Sequence, residues 1–167
     1  MDVKHAIEAR RSIRKYERKE IPKKVIEDLL EAARLAPSSS NRQAWKIIVV
    51  TDEEMRSRLV PVSGGQKFVG ECSAYLVGVS EPNVGYSPVD VTIALDHLSL
   101  RAVELGLGTC WIGDFDPIRM KEILGVPVDH DIPVCMTLGY PSAVPEARRR
   151  KAPSSIFRRD TWKQVFD

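Results

Sequence analysis

The chain has few of the residues that build metal centres or covalent cross-links. Its three cysteines, Cys72, Cys110 and Cys135, stand 38 and 25 residues apart. None forms a CxxC pair and no Cys/His cluster accompanies them, which excludes a zinc ribbon or a disulfide framework. Their neighbours are mostly apolar, so they read as small buried fillers in a reducing compartment. The three histidines, His5, His97 and His130, have no neighbouring Cys or acid pattern that reads as metal ligation. No GxSxG elbow and no Walker loop occurs, and with them go hydrolase and P-loop chemistries. No apolar run reaches the about 18 residues of a membrane span. The opening MDVKHAIEARRS is charged throughout, without the apolar centre of a signal peptide. The expectation is a cytoplasmic protein with no membrane partner.

What is present is ordinary for a globular protein: 167 residues, 43% hydrophobic and 29% charged. That length fits one domain, residues 1–167, with a core of useful size. The net charge of +2 predicts no nucleic-acid binding by itself. The charge is uneven, however. Residues 146–160 hold Arg148, Arg149, Arg150, Lys151, Arg158 and Arg159 against Glu146 and Asp160. On its own this basic run also fits a nucleic-acid-binding module.

Periodicity predicts a short helix over Val3–Ala9 and a second with Pro22 at its first position, its apolar residues repeating as far as Leu35. Lys46–Thr51 reads as a buried strand, and Asp52 caps a polar helix running to Leu59. Gly64-Gly65 breaks the chain before a short helix over Gln66–Cys72. Ala74–Ser80, Thr109–Ile112 and Ile132–Gly139 are further strands, with a short helix over Pro117–Leu124. The helix from Asp90 to Gly106 is apolar nearly all round, so it must be buried on nearly all sides. Either it is central to a monomer, or a second subunit covers it.

Two motifs near the N-terminus carry chemistry. Arg10-Arg11-Ser12-Ile13-Arg14 gathers three guanidiniums and a hydroxyl. The planar guanidinium fork makes paired charge-assisted bonds to phosphate oxygens. Because the run follows a helix C-terminus, whose dipole disfavours an anion, side chains must do the holding. The alternative is a solvated basic surface. Pro37-Ser38-Ser39-Ser40-Asn41-Arg42-Gln43-Ala44-Trp45 is a polar turn running into an apolar strand. Farther on, Gly106-Leu107-Gly108-Thr109-Cys110-Trp111-Ile112-Gly113 has the wrong spacing for a dinucleotide fingerprint, and its glycines precede a strand.

In this order and spacing, these motifs resemble the nitroreductase family along nearly the whole chain. The resemblance implies an α+β fold, a mainly antiparallel central sheet flanked by helices, working as an intertwined homodimer that holds FMN at its interface. In that family the residues matching Arg10, Arg11, Ser12 and Arg14 grip the phosphate, the last reaching the pyrimidine edge of the flavin. Those matching Pro37, Ser38, Ser39 and Asn41 contact the flavin bound mainly by the other subunit. Ala44 stands where a proline is frequent, and Trp45 reads as packing. Gln66 and Lys67 match a polar contact to the ribityl chain or pyrimidine edge, although by themselves they read as a surface pair. Trp111, Ile112 and Gly113 match the strand beside the ring, with the backbone N–H of Gly113 or Asp114 near flavin N5. Arg149 and Lys151, ahead of Pro153, match a second phosphate contact.

The implied reaction is ping-pong transfer of hydride from NADH or NADPH, through the flavin, to a nitroaromatic, quinone or similar flat acceptor. It needs no protein nucleophile and no metal, because the cofactor carries the electrons. Two alternatives stand beside it. One is a specialised enzyme on the same scaffold, a reductive dehalogenase or a flavin-cleaving enzyme. The other is a non-enzymatic basic module that binds nucleic acid.

Overall fold

The computed structural model describes residues 2–166. Seven helices are seen among them: α1 (Val3–Ala9), α2 (Lys23–Arg34), α3 (Glu53–Leu59), α4 (Phe68–Glu71), α5 (Ser87–Glu104), α6 (Pro117–Leu124) and α7 (Pro153–Ile156). The strands are β1 (Trp45–Val50), β2 (Ala74–Ser80), β3 (Gly108–Ile112) and β4 (Asp131–Gly139). They form one sheet in the order β1-β2-β4-β3, with every neighbouring pair antiparallel.

Local chemistry sets the helix boundaries. The Asp2 and Asp52 carboxylates accept the backbone N–H groups of His5 and Met55, each at 2.7 Å. Asp116 accepts those of Ile118 and Arg119 at the start of α6, and Gly125, at φ 67°, ends that helix in the left-handed region. Pro22 falls just outside α2 rather than at its first position; its carbonyl accepts from Val25 and Ile26. Gln66 lies outside α4, in a turn where its backbone and side-chain N–H groups both donate to the Ser63 carbonyl. α5 begins at Ser87, a turn earlier than the apolar pattern, because Pro88 suits a first turn.

The sheet is covered on both faces. Strand alternation sends Ala74, Leu76, Met136 and Leu138 toward Leu29 and Ala33 of α2 and Ala94, Leu95 and Leu98 of α5. The opposite face carries Tyr75, Val77, Val79, Cys110 and Cys135 against Leu59 of α3, Val69 of α4 and Met120 of α6. Every residue of β2 is therefore buried. Gly78 lets α5 lie close, since a Cβ there would sit 3.1 Å from a Val91 methyl and 3.2 Å from one of Leu95. α5 itself buries only one side within the chain. Val91, Ala94, Leu95, Leu98 and Ala102 are closed off, while Val89 is 49% exposed and Ile93 and Leu100 are half-covered. Val89 is thus the exposed apolar residue of the helix, and Ile93 packs partly against the same core.

All three cysteines are free and buried, as their apolar neighbours predict. Burial pushes the Cys72 thiol up to about 11 and the Cys135 thiol up to about 12. The native state thus holds these protons more tightly than the unfolded chain. Stability from this source is fully present below the ordinary thiol range and is lost as pH rises through about 11 to 12. At about pH 8 an aromatic disulfide reagent should label none of the three thiols in the folded protein and all three in denaturant. Rapid stoichiometric labelling of the native state would contradict this packing.

Candidate active site

The arginine run is pinned by the residue in its middle. Ile13, 3% exposed, enters the core beside Tyr16, and its N–H donates to the Thr109 carbonyl at 2.9 Å. The segment lies parallel to β3 through a Ser12–Thr109 bridge. A Cβ on Gly108 would overlap the Ile13 side chain, so the glycine permits this close approach. The Tyr16 hydroxyl fixes the next turn, donating to the Ile13 carbonyl at 2.9 Å and meeting Thr137 Oγ1 at 2.7 Å. Burial raises that phenol far above its usual range. With Ile13 turned inward, Ser12 and Arg14 turn away from the core.

The outward side forms one wall of a cleft of about 510 Å³. Arg10, Arg11, Ser12 and Arg14 line it, and Arg148 and Arg150 from the tail line the other side. All four residues from Arg148 to Lys151 are exposed, and of these Arg149 and Lys151 do not line the cleft. The arginines are not equivalent. Arg11 Nη1 donates to the carbonyls of Glu8 and Arg10 at 2.6 and 2.9 Å, closing the C-terminal end of α1. Arg10 Nη1, by contrast, is buried and has no partner, and so is the Thr109 hydroxyl. A buried guanidinium N–H without an acceptor is costly unless an anion arrives. Arg14 and Arg10 also act on Cys110: burial raises its thiol, and the two positive charges partly oppose the rise.

The other end of β3 is built differently. Trp111 is half-buried and Ile112 is in the core, but Gly113 and Asp114 are exposed, and a Cβ on Gly113 would meet nothing within 4 Å. The turn after the strand docks on the Val62–Gln66 segment, where the Asp116 N–H donates to the Val62 carbonyl at 2.8 Å. Gly64, at φ 62°, sits directly against the Asp114 carboxylate. Gln66 is half-buried and Lys67 exposed on the same segment. Ser12 pairs with Thr109, four residues before Gly113, so that point of the cleft and the open glycine are separated by roughly 13 Å.

The third part is the loop from Pro37 to Trp45. Ser38 and Ser39 are half-buried, and Pro37 and Asn41 are exposed. Ser40, Asn41 and Gln43 all have positive φ, at 51°, 54° and 52°. Each such non-glycine residue is disfavoured by roughly 1–2 kcal/mol unless its surroundings hold it. The Ser38 hydroxyl accepts the Gln43 N–H at 3.1 Å, and Gln43 Nε2 donates to Asn41. Trp45 packs into the α5 side of the core, as expected, with its indole N–H buried and unpartnered.

Within the chain, the structure brings the Arg10–Arg14 residues together with Arg148 and Arg150, and places Trp111–Asp114 beside the Val62–Gln66 segment. Two contributors escaped the sequence reading. Thr109 lies inside the glycine-rich run, but its orphaned hydroxyl has no pattern signal. Asp90 was read only as the start of a helix, and a carboxylate in an otherwise apolar helix was the available clue.

These parts define an α+β protein with an arginine-lined cleft beside the start of β3 and an exposed glycine after its end. The chain belongs to the nitroreductase family, whose model matches residues 7–81 and 67–140. A putative NADH dehydrogenase/NAD(P)H nitroreductase of Methanothermobacter thermautotrophicus is 32% identical over 165 residues, 93% of this chain and 86% of that protein. Among solved structures, an FMN-dependent nitroreductase of Clostridium difficile superposes with a TM-score of 0.83 at 28% identity, over 94% of this chain and 98% of the other. The NADPH:FMN oxidoreductase of Vibrio harveyi, solved with NAD+, gives a TM-score of 0.91 at 26% identity, over 98% and 79%.

Gly64 offers a direct check on the geometry of the turn after β3. Gly64→Ala should cost about 1–3 kcal/mol, from the positive φ and the Asp114 overlap together. Denaturant unfolding would measure it, and a neutral result would mean that the two loops are not in contact.

Proposed function

We propose that the protein is an FMN-dependent NAD(P)H oxidoreductase, a single FMN-binding domain that works as a homodimer. The observation that carries this reading is the pairing across β3: a basic cleft with an unpartnered buried guanidinium N–H at one end, and an open glycine turn at the other. Two relatives with FMN in their names share the fold over nearly the whole chain.

Bound FMN supplies the electron chemistry, taking up hydride from a nicotinamide and returning it to an acceptor. The chain supplies position and charge. Arg10, Arg11 and Ser12 hold the phosphate, with Arg148 and Arg150 opposite. Arg14 directs a positive charge at the pyrimidine side, where it favours the electron-rich form of the ring. The backbone N–H of Gly113 or Asp114 marks the hydride-accepting atom, and Gln66 and Lys67 approach from the adjoining segment. Pro37, Ser38, Ser39 and Asn41 serve the flavin bound mainly by the second subunit. The order is ping-pong, with NADH or NADPH first and a flat acceptor, a nitroaromatic or a quinone, afterwards in the same space.

The dimer reading rests on what the chain leaves uncovered. Val89 lies open on α5, and the tail exposes Trp162 (86%), Phe157 (57%) and Phe166 (52%). Aromatic surface of this extent marks a protein contact, and a second copy supplies it. Against the nucleic-acid alternative, four of the six basic residues of the 146–160 run are engaged within the chain. Arg148 and Arg150 face the cleft, Arg158 donates to the Ser154 carbonyl and stacks over Trp162, and Arg159 lies over Phe166. No described helix is long and apolar enough to cross a membrane, and three free thiols suit a reducing, cytoplasmic setting.

The purified chain should bind FMN and turn yellow, and either nicotinamide should bleach it until a quinone or nitroaromatic restores the colour. A chain that cannot take up FMN would sink the reading. Arg10→Ala should weaken FMN binding by about tenfold or more, since charged hydrogen bonds contribute roughly 1.5–3 kcal/mol. Deletion of everything after Ser142 should convert a dimer into a monomer on size-exclusion chromatography and abolish FMN retention. A truncated chain that stays dimeric would contradict the assembly.

A further inference from the structure

The loop from Pro37 to Trp45 is held from outside itself. The Asp90 carboxylate, in the first turn of α5 and 3% exposed, accepts the Ser39 N–H on both oxygens, at 3.1 and 3.2 Å. One turn earlier on the same helix, the buried Ser87 hydroxyl donates to the Ala44 carbonyl and accepts the Glu81 N–H at 3.0 Å. α5 therefore clamps both ends of the segment that contains the three left-handed residues. Among the described residues no cation pairs with Asp90, so its charge is supported by the Ser39 N–H and by the helix N-terminus. A buried carboxylate so sparsely partnered binds its one donor firmly.

This arrangement matters because the strain in the loop would otherwise relax. Ser40, Asn41 and Gln43 keep positive φ only while the flanking backbone is fixed. The hydrogen bonds internal to the loop, from Gln43 to Ser38 and Asn41, tie it to itself and not to the body of the protein. Asp90 and Ser87 make the attachment to the body.

We infer that Asp90 is a positioning residue for the cofactor: from α5 it sets the backbone that presents Ser39 and Asn41 to the flavin. The inference rests on the FMN-dimer reading above. It assigns the loop geometry to the protein rather than to the ligand, so the loop is formed before FMN arrives. It also links two parts of the assembly. The helix whose exposed Val89 meets the second copy in that reading is the helix that shapes the loop offered to that copy's flavin.

The test compares Asp90→Ala, Asp90→Asn and, as a control at an exposed position of α3 on the other face of the sheet, Arg58→Ala. FMN affinity is measured by titration of the full-length chain, and amide hydrogen exchange is followed at Ser39–Gln43 with and without FMN. Asp90→Ala should bind FMN about tenfold or more weakly and should exchange these amides faster, while core amides of β2 keep their protection. Asp90→Asn retains an acceptor and should fall between Asp90→Ala and the parent. Arg58→Ala should match the parent. Should Asp90→Ala fail to fold, the Asn variant carries the comparison. In the parent chain the Ser39 amide should be protected before FMN is added. FMN binding unchanged in both Asp90 variants overturns the assignment alone, as does a Ser39 amide that is protected only after FMN binds. A parent chain that takes up no FMN overturns the functional reading as well.

Discussion

The contact between Ile13 and Gly108 is the constraint from which the site follows. A side chain on residue 108 would occupy the space of Ile13, so the N-terminal segment can lie on β3 only because that residue is glycine. Once Ile13 is seated and its N–H is paired with Thr109, alternation leaves Ser12 and Arg14 on the open side. The Tyr16 hydroxyl bonds to the Ile13 carbonyl and to Thr137 of the central strand β4. The arginines are therefore mounted on the sheet core and not on a loose terminus.

Polar groups inside the protein fall into two sets. Tyr75 meets Ser63, Tyr16 meets Thr137, and Asp90 meets Ser39; each pair is closed and structural. Arg10 Nη1 and the Thr109 hydroxyl are close in sequence to those satisfied groups or to their partners, yet they have no acceptor or donor of their own. Two further groups, the Trp45 indole N–H on β1 and Arg56 Nε on α3, are also buried without a partner, so such groups are not confined to the edge at β3.

Much of this was legible in the sequence. The strands appeared as short apolar runs, the helix over Pro117–Leu124 was bounded by its own proline and glycine, and the arginine run stood out by composition. The family pattern supplied the antiparallel sheet, which spacing alone does not. Other features depend on tertiary placement. The choice of Arg148 and Arg150 over Arg149 and Lys151 is decided by how an extended tail turns past α1, and residues one apart look the same in a string of basic side chains. The first turn of α5 was hidden because Ser87 and Asp90 are polar, and a polar residue reads as solvent-facing until the loop that it holds is in place.

The cleft joins residues separated by most of the chain, since Ser12 lies beside Thr109 and faces Arg148. Contacts this distant in sequence close late, after the entropy of a long intervening loop has been overcome. The cleft therefore exists only once both of its sides are in place, and no fragment that lacks either the Arg10–Arg14 run or Arg148 and Arg150 can assemble it.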